Sequence, residues 1–387
     1  MITLCAPVSL KLTLFSEAGA LQVSQWAELI PKLAAYVNEF KIAGLELIGE
    51  TERLAVLDAL EQGGKFYHLH IGKVPVQSLP LLSDLRERAH FGSLVLNLLP
   101  SDEKLSSEED ERLASLRDFA DKALAVGLET NASVNLTSWV CHHLSELVAE
   151  AQDLGINHVF CYRCSAVSGR QAEASELAQA LQVLLSLRRQ GISISLGNCV
   201  PNCFVNTDSP GCLGGITSAV VDALGNVYPC GGSSESAGNL LENELTEIWR
   251  SEVMEKWREA LPEECAHCAK AELCPGGCRA IASRGEAKCD PLIRRAFSED
   301  AEELHEVVLE EDLCPVPCYA VRAEEFGWTL MRGERVIPVS FQAQEILRLF
   351  DGEHTLAQIE RQCGTAALSF VYSLYVRGFV EFSEAKS

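Results

Sequence analysis

Short apolar runs alternate with helix-spaced apolar positions through the first two hundred residues. Val8 to Phe15, Leu45 to Ile48, Phe66 to Ile71, Ser93 to Leu98, Leu128 to Val134 and Ile156 to Tyr162 read as buried strands. Between them, Trp26, Leu29, Ile30, Leu33 and Val37 recur at helical spacing, as do Leu113, Leu116, Ala120, Ala123 and Leu124. A further helix, Glu173 to Arg189, leads through Gly191 to another strand, Ile192 to Leu196. Repeated strand–helix units with nearly continuous apolar strands predict an α/β architecture, a parallel sheet covered by helices. About six units fit either a partial (β/α)6 TIM-like barrel or an open doubly wound sheet, and periodicity leaves both open.

From Cys199 to Cys289 the pattern changes. Glycine, proline and cysteine punctuate short segments, with a hairpin over Thr217 to Tyr228 and one amphipathic helix over Leu245 to Ala260. So loop-rich a module has little core and needs metal or disulfide staples. The acidic stretch Ser298 to Asp312 reads as a solvated helix or linker. A third unit follows, opened by Cys314-Pro-Val-Pro-Cys318. It has strands at Tyr319 to Arg322, Trp328 to Met331 and Arg335 to Ile337, then a helix carrying Ala343, Ile346, Leu347 and Phe350. Thr355 and Gln358 form a capping box for the next helix. This last unit is a small α+β, winged-helix-like domain. The expected divisions are 1–198, 199–297, a linker 298–317, and 318–387.

Composition narrows the function. The net charge of -23 repels phosphate backbones and anionic lipid, so neither nucleic acid nor a membrane is an expected partner. No apolar run reaches membrane-spanning length and the start lacks a secretory pattern, so the expected location is cytoplasmic. Sixteen cysteines in that reducing compartment point to metal or cluster ligation rather than disulfides.

The sharpest motif is Cys265-Ala-His-Cys268, then Cys274 and Cys278. Thiolates are soft ligands for iron–sulfur clusters and zinc, and the glycines of Cys274-Pro-Gly-Gly-Cys278 let the backbone bend close around an inorganic core. Upstream stand Cys212 and Gly225-Asn-Val-Tyr-Pro-Cys230, and Cys289 closes the set. The arrangement resembles the SPASM module of the radical SAM superfamily, C-x9-15-G-x4-C, then C-x2-C-x5-C-x3-C, then a last cysteine. Twelve residues separate Cys212 from Gly225, so every spacing through Cys278 matches. The resemblance implies two iron–sulfur clusters of the 4Fe-4S type. One would use Cys212, Cys230 and Cys278 with Cys203, or its rival Cys199; the other would use Cys265, Cys268, Cys274 and Cys289. Structural zinc in a four-cysteine knuckle is the competing reading, and His267 reads as a surface residue.

The strand–helix units also resemble the radical SAM barrel, with Val8 to Phe15 as its first strand, Leu45 to Glu50 in the place of the second strand and its turn, and Val167-Ser-Gly-Arg170 after the sixth. In active members C-x3-C-x2-C follows strand one and seats the cluster that binds and cleaves SAM. Here Ser16-Glu-Ala-Gly-Ala20 runs straight into a helix start, and no such motif occurs in the chain. No SAM-binding cluster is therefore expected. Cys161 and Cys164 would end the sixth strand at the barrel mouth as a redox pair, an extra ligand or simply buried thiols. His68 and His70 share one strand face and read as structural more than catalytic.

The last seventy or so residues resemble the precursor-peptide recognition element, the fold of the pyrroloquinoline-quinone peptide chaperone. The carriers are the short strands, Phe341 to Gly352, Thr355 and the Arg377-Gly-Phe-Val ending. That resemblance implies a leader peptide added as a strand, with Val336, Ile337 and Leu374 as contacts. The combined expectation is an accessory iron–sulfur protein of peptide maturation that binds a precursor peptide and partners an active radical SAM enzyme. A SAM-independent peptide-modifying enzyme using an auxiliary cluster and the barrel cavity is the alternative, and a zinc-stabilised binding protein a third.

Overall fold

A computed structural model of the chain describes all residues except 1–2, 17–18, 75–77, 164–171, 198–199, 206–210, 270, 272–273, 275, 284–288, 294–309 and 385–387. The chain forms two compact units, Ala6–Ser298, and Glu299–Ser387 together with Met1–Cys5. The expected linker falls largely outside the described residues. Among those described, no helix is long and apolar enough to cross a membrane.

The larger unit begins with seven parallel strands: β1 (Ser9–Thr13), β2 (Glu39–Ala43), β3 (Phe66–Ile71), β4 (Phe91–Leu96), β5 (Thr130–Leu136), β6 (Val159–Arg163) and β7 (Ile194–Leu196). Six helices alternate with them: α1 (Val23–Ala34), α2 (Glu50–Gly63), α3 (Ser78–Glu87), α4 (Ser107–Ala125), α5 (Ser138–Asp153) and α6 (Ala174–Arg189). The strands neighbour one another in chain order and the sheet does not close, which makes it a partial barrel. Leu10, Leu12, Phe40, Ile42 and Leu69 are wholly buried against the helix layer. The opposite face carries polar side chains, and Lys11, Lys41, His68 and Ser93 align in one row across four strands.

One strand lies elsewhere than the apolar pattern predicts. Leu45 to Ile48 is no strand; β2 ends at Ala43, Gly44 adopts φ +82°, and Leu45–Leu47 form a 3-10 turn. The real strand carries Glu39 and Lys41 on its inner face, so its apolar content is low. The run that mimics a strand is a turn burying Leu45 and exposing Leu47.

The sheet continues past the barrel. Strand β8 (Ser218–Val221) pairs parallel with β1, then β9 (Asn226–Tyr228) and β10 (Gly238–Asn239) add antiparallel, giving one ten-stranded sheet. The expected helix over Leu245 to Ala260 is two helices, α8 (Leu245–Trp249) and α9 (Glu252–Glu259). Ser251 breaks it by capping the second, accepting from the Met254 N–H at 3.4 Å. Short helices α7 (Asn202–Val205) and α10 (Arg279–Ala282) flank these.

In the smaller unit β11 (Leu313–Pro317) pairs with β15 (Val380–Glu384), so Cys314 packs within a strand. Beside them β12 (Ala320–Glu324), β13 (Gly327–Arg332) and β14 (Arg335–Ser340) form an antiparallel meander. Helices α11 (Gln344–Leu347), α12 (Leu356–Cys363) and α13 (Thr365–Val376) follow. The Thr355–Gln358 capping box is formed, at 3.3 and 2.8 Å.

Two tests follow from this packing. Burial pushes His70 down to about 3, with Lys11, Lys41 and His68 adding to the effect. The unfolded chain takes up a proton there near pH 6.5, so the contribution of His70 is fully present above that pH and is lost progressively on acidification towards 3. Urea midpoints should fall between pH 7.5 and 5, and His70→Gln should flatten that slope. Separately, Asp290→Ala removes one partner of a buried ion pair with Arg163 and should cost about 3–5 kcal/mol in chemical denaturation.

Candidate metal centre

The cysteine module is carried by the hairpin that extends the barrel sheet. Asp222 shapes its turn, accepting from the Leu224 and Asn226 N–H groups at 2.9 Å each and from the Tyr228 hydroxyl at 3.2 Å. Gly225 takes φ +84° in that turn, which is why a glycine belongs five residues before Cys230. On the other side, the Trp257 indole donates to the Gly214 carbonyl at 3.0 Å and Arg258 donates to the Gly215 carbonyl at 2.6 Å. These bonds pin the segment after Cys212 beneath α9.

The backbone approaches closely around two sets of thiols. A Cβ on Gly214 would lie 2.8 Å from the Cys230 Cβ, and one on Gly232 would meet the Ala280 Cβ at 2.6 Å, so Cys212, Cys230 and the Cys278 turn converge. Burial pushes Cys230 up to about 11, with Cys212 and Cys278 adding to it. Cys265 is likewise pushed up to about 11, first by burial, then by Cys274, Cys203 and Cys268. The thiols of Cys230 and Cys265 are therefore protonated at neutral pH, and ligation would displace their protons. Among the described residues no group of three or more His, Cys, Asp or Glu side chains is gathered as a site for a single metal ion.

Buried polar groups with nothing to bind mark the same region. Asn202 is fully buried, and neither its amide nitrogen nor its oxygen has a hydrogen-bond partner. Arg279, beside Cys278 and 4% exposed, donates from one nitrogen to the Arg258 carbonyl at 3.2 Å while Nε and Nη1 are unpartnered. A buried guanidinium is costly without a counter-charge. Soft sulfur donors, glycines where a Cβ would intrude, and a buried cation fit a thiolate-held iron–sulfur cluster, which is anionic and accepts hydrogen bonds at its sulfurs.

The module is clamped to the barrel by an ion pair that spacing did not reveal. Arg163, the last residue of β6, donates to both oxygens of Asp290, at 2.7 and 3.0 Å, with side chains 7% and 0% exposed. Asp290 also accepts from the Cys278 N–H at 2.7 Å and the Leu292 N–H at 3.0 Å. These partners stand 127 positions apart, so no local pattern announces them.

Other expected residues fall variously. Cys161 does not face the barrel mouth; it is wholly buried toward the helix layer with Cys141, and burial pushes it up to about 12. Cys164, Cys199 and Val167 to Arg170 lie outside the described residues. His68 is hydrogen-bonded to Ser93, 2.9 Å from Nδ1 to Oγ, and covers Gly92. His267 is exposed. Cys289 is half-buried and immediately precedes Asp290. In the smaller unit Leu374 has no exposed surface and Ile337 is 8% exposed, which corrects their expected role as peptide contacts. Helical spacing sets Leu374 with Val371 and Ala367 on the core side, while Val376 is exposed and Val336 half-buried.

Residues 212–269 match the family model of the SPASM iron–sulfur cluster-binding domain, which places iron–sulfur ligation in this module. The chain is 38% identical over 98 residues to an AdoMet-dependent heme synthase of Methanosarcina barkeri, covering 24% of this chain and 27% of that one. It is 26% identical over 237 residues to a PqqA peptide cyclase of Xanthomonas axonopodis pv. citri, covering 55% and 62%. It thus spans less than two thirds of these relatives. Among solved structures, Streptococcus suis SuiB bound to its precursor peptide SuiA superposes with a TM-score of 0.62 at 14% identity, over 75% of this chain and 76% of that one. Native anSMEcpe with bound AdoMet superposes with a TM-score of 0.53 at 14% identity, over 72% of this chain and 91% of that one. The chain shares the fold of these solved structures.

The glycine contacts generate a test beside Cys230. Gly211→Ala would set a Cβ 2.1 Å from the Cys274 carbonyl oxygen, whereas a Cβ on Gly231 meets nothing within 4 Å. After anaerobic reconstitution, Gly211→Ala should bind far less iron than the wild type and Gly231→Ala the same amount.

Proposed function

We propose that this chain is an accessory iron–sulfur protein of peptide maturation that does not itself cleave S-adenosylmethionine, binds a precursor peptide and works beside an active radical SAM enzyme. The observation that carries the reading is the connection between β1 and α1. Residues 14–22 contain no cysteine, at the point where the radical SAM pattern sets three. The ends of this connection are also tied down. Ser16 donates to the Gly19 carbonyl at 2.9 Å, and the Leu21 N–H donates to the Ala223 carbonyl at 2.7 Å. Gly19 lies against Leu224 of the module hairpin, with its Cβ position 3.3 Å from that side chain. A short loop docked on the hairpin leaves no thiolates to seat a SAM-binding cluster.

The peptide part of the reading rests on kinship and on the smaller unit. The named relatives include a cyclase of the PqqA peptide and an enzyme crystallised with its precursor. In the smaller unit β12 and β14 are the two edges of the meander, and edges accept an added strand. Pro338 removes one N–H from β14. Along the β12 side runs an apolar cleft of about 300 Å³ lined by Tyr319, Val321, Trp328 and Leu347. We assign peptide contact to the surface groups of these edges, Val336 and Val321 among them, with Ile337 and Leu374 as the packing beneath. Clusters bound in the cysteine module would supply one-electron transfer; the chain's own part is to hold them and the peptide.

The test is anaerobic reconstitution, iron and sulfide counting, and incubation with S-adenosylmethionine and a reductant. Two clusters per chain with no 5′-deoxyadenosine above the blank is the expected outcome. Formation of 5′-deoxyadenosine by this chain alone, or an iron-free product, ends the proposal.

A further inference from the structure

The smaller unit has two sheet edges, and the packing beneath them is not equivalent. We infer that an extended stretch of the precursor peptide adds to β12 and not to β14. It seats an apolar side chain in the cleft beside α11 and an acidic side chain, two positions away, on Arg348. This rests on the peptide-binding part of the proposed function and narrows it to one edge and one side-chain pattern.

The β14 side is closed. Ile337 and Val339, on its core face, are each 8% exposed, and Leu374 of α13 is wholly buried. Arg335 donates to the Arg377 carbonyl at 3.0 Å and lies 5.8 Å from the centre of the Phe379 ring, while Arg332 donates to the Gly378 carbonyl. These bonds fasten the β13–β14 turn to the end of α13. Pro338 further denies an incoming strand one N–H of β14.

The β12 side is open. Val321 stands opposite Leu330 in register, so the two side chains share the core face. Leu330 has no exposed surface, whereas Val321 is 50% exposed: the core runs out at this edge. Trp328, on the same face, meets the ring of Phe341 edge-on at 5.9 Å, and Phe341 is itself 54% exposed. The cleft of about 300 Å³ lies here, between Val321, Trp328 and Leu347 of α11. A strand added to β12 would set every second side chain over it. Arg348 is the only charged residue that lines the cleft; it is exposed and forms no ion pair among the described residues. One face of a strand repeats every two residues, so an apolar residue in the cleft brings the residue two positions on to the rim. A carboxylate there would pair with Arg348. A second copy of the chain is a poorer occupant, because two chains of net charge -23 repel.

The experiment pans a displayed library of random peptides against the full chain and measures the selected peptides by fluorescence anisotropy. The expected peptides carry a large apolar residue two positions from an acidic one. Val321→Asp should weaken them about tenfold or more, and Arg348→Glu should exchange the acidic preference for a basic one. Val376→Asp, at the end of α13 beside β14, should leave affinity unchanged. All three positions are exposed, so the variants should fold, and an unmoved urea midpoint checks that they do. Peptides still held by Val321→Asp overturn the choice of edge while peptide binding stands; their loss with Val376→Asp would then mark the β14–α13 side. Selected peptides without an acidic residue, or indifferent to Arg348→Glu, overturn the role of Arg348. Self-association of the wild type that Val321→Asp abolishes makes a second copy the occupant and overturns the proposal. If no peptide is retained above a bare support, the peptide-binding part of the proposed function falls, and this inference with it.

Discussion

The carboxylate of Asp290 is where the barrel and the cysteine module become one object. Each of its oxygens accepts from an Arg163 nitrogen and from one backbone N–H, Cys278 on one side and Leu292 on the other. A carboxylate has room for about four such bonds, so burial leaves it no unmet demand. Taking two charges out of water is expensive, and their attraction offsets it only when geometry is good and the remaining positions are filled. Both conditions hold here. The result ties the end of the sixth barrel strand to the turn that presents Cys278, so the cysteine loops take their position from the sheet.

A second tie works through the sheet. Strand β8 pairs with β1 in parallel register, Ser9 with Ser218 through Leu12 with Val221. The hairpin that delivers Cys230 is therefore a continuation of the barrel wall rather than an appended loop. The β1–α1 connection packs on that hairpin at Gly19 and Leu21, against Leu224 and Gly225. A longer connection at this point would have to displace that contact.

Much of this was legible in the residue pattern, for reasons that also explain the failures. Parallel strands buried on the helix side advertise themselves as apolar runs, and Phe66 to Ile71 is such a case, strand β3 to the residue. Strand β2 does not, because Glu39 and Lys41 occupy its inner face while the neighbouring turn happens to be leucine-rich. Cysteine spacing located the module because ligand geometry constrains short separations along the chain. It could not find Arg163 with Asp290, or Asn202 beside Cys274, because those partnerships join distant segments and are set by tertiary packing. Local capping was readable at Thr355 and Gln358, but the break at Ser251 was hidden inside a continuous amphipathic pattern. Leu374 was misread as a contact because α13 is apolar nearly all round, so hydrophobicity alone did not say which side faces in.

The distribution of unmet polar groups bears on what a bound cluster would contribute to the module. Loop-rich segments bury little apolar surface and stand near the limit of stability without a staple. Here Asn202 and Arg279 are buried with unpartnered nitrogens beside the thiols, and each such group costs on the order of 1–3 kcal/mol, more when charged. Folded domains are stable by only about 5–15 kcal/mol in total, so these debts are a large fraction of the margin. An anionic, sulfur-rich core held by the surrounding thiolates would satisfy the Arg279 charge and accept the Asn202 N–H at once. A bound cluster would then stabilise this segment through the same two residues, which would couple cluster binding to its folding.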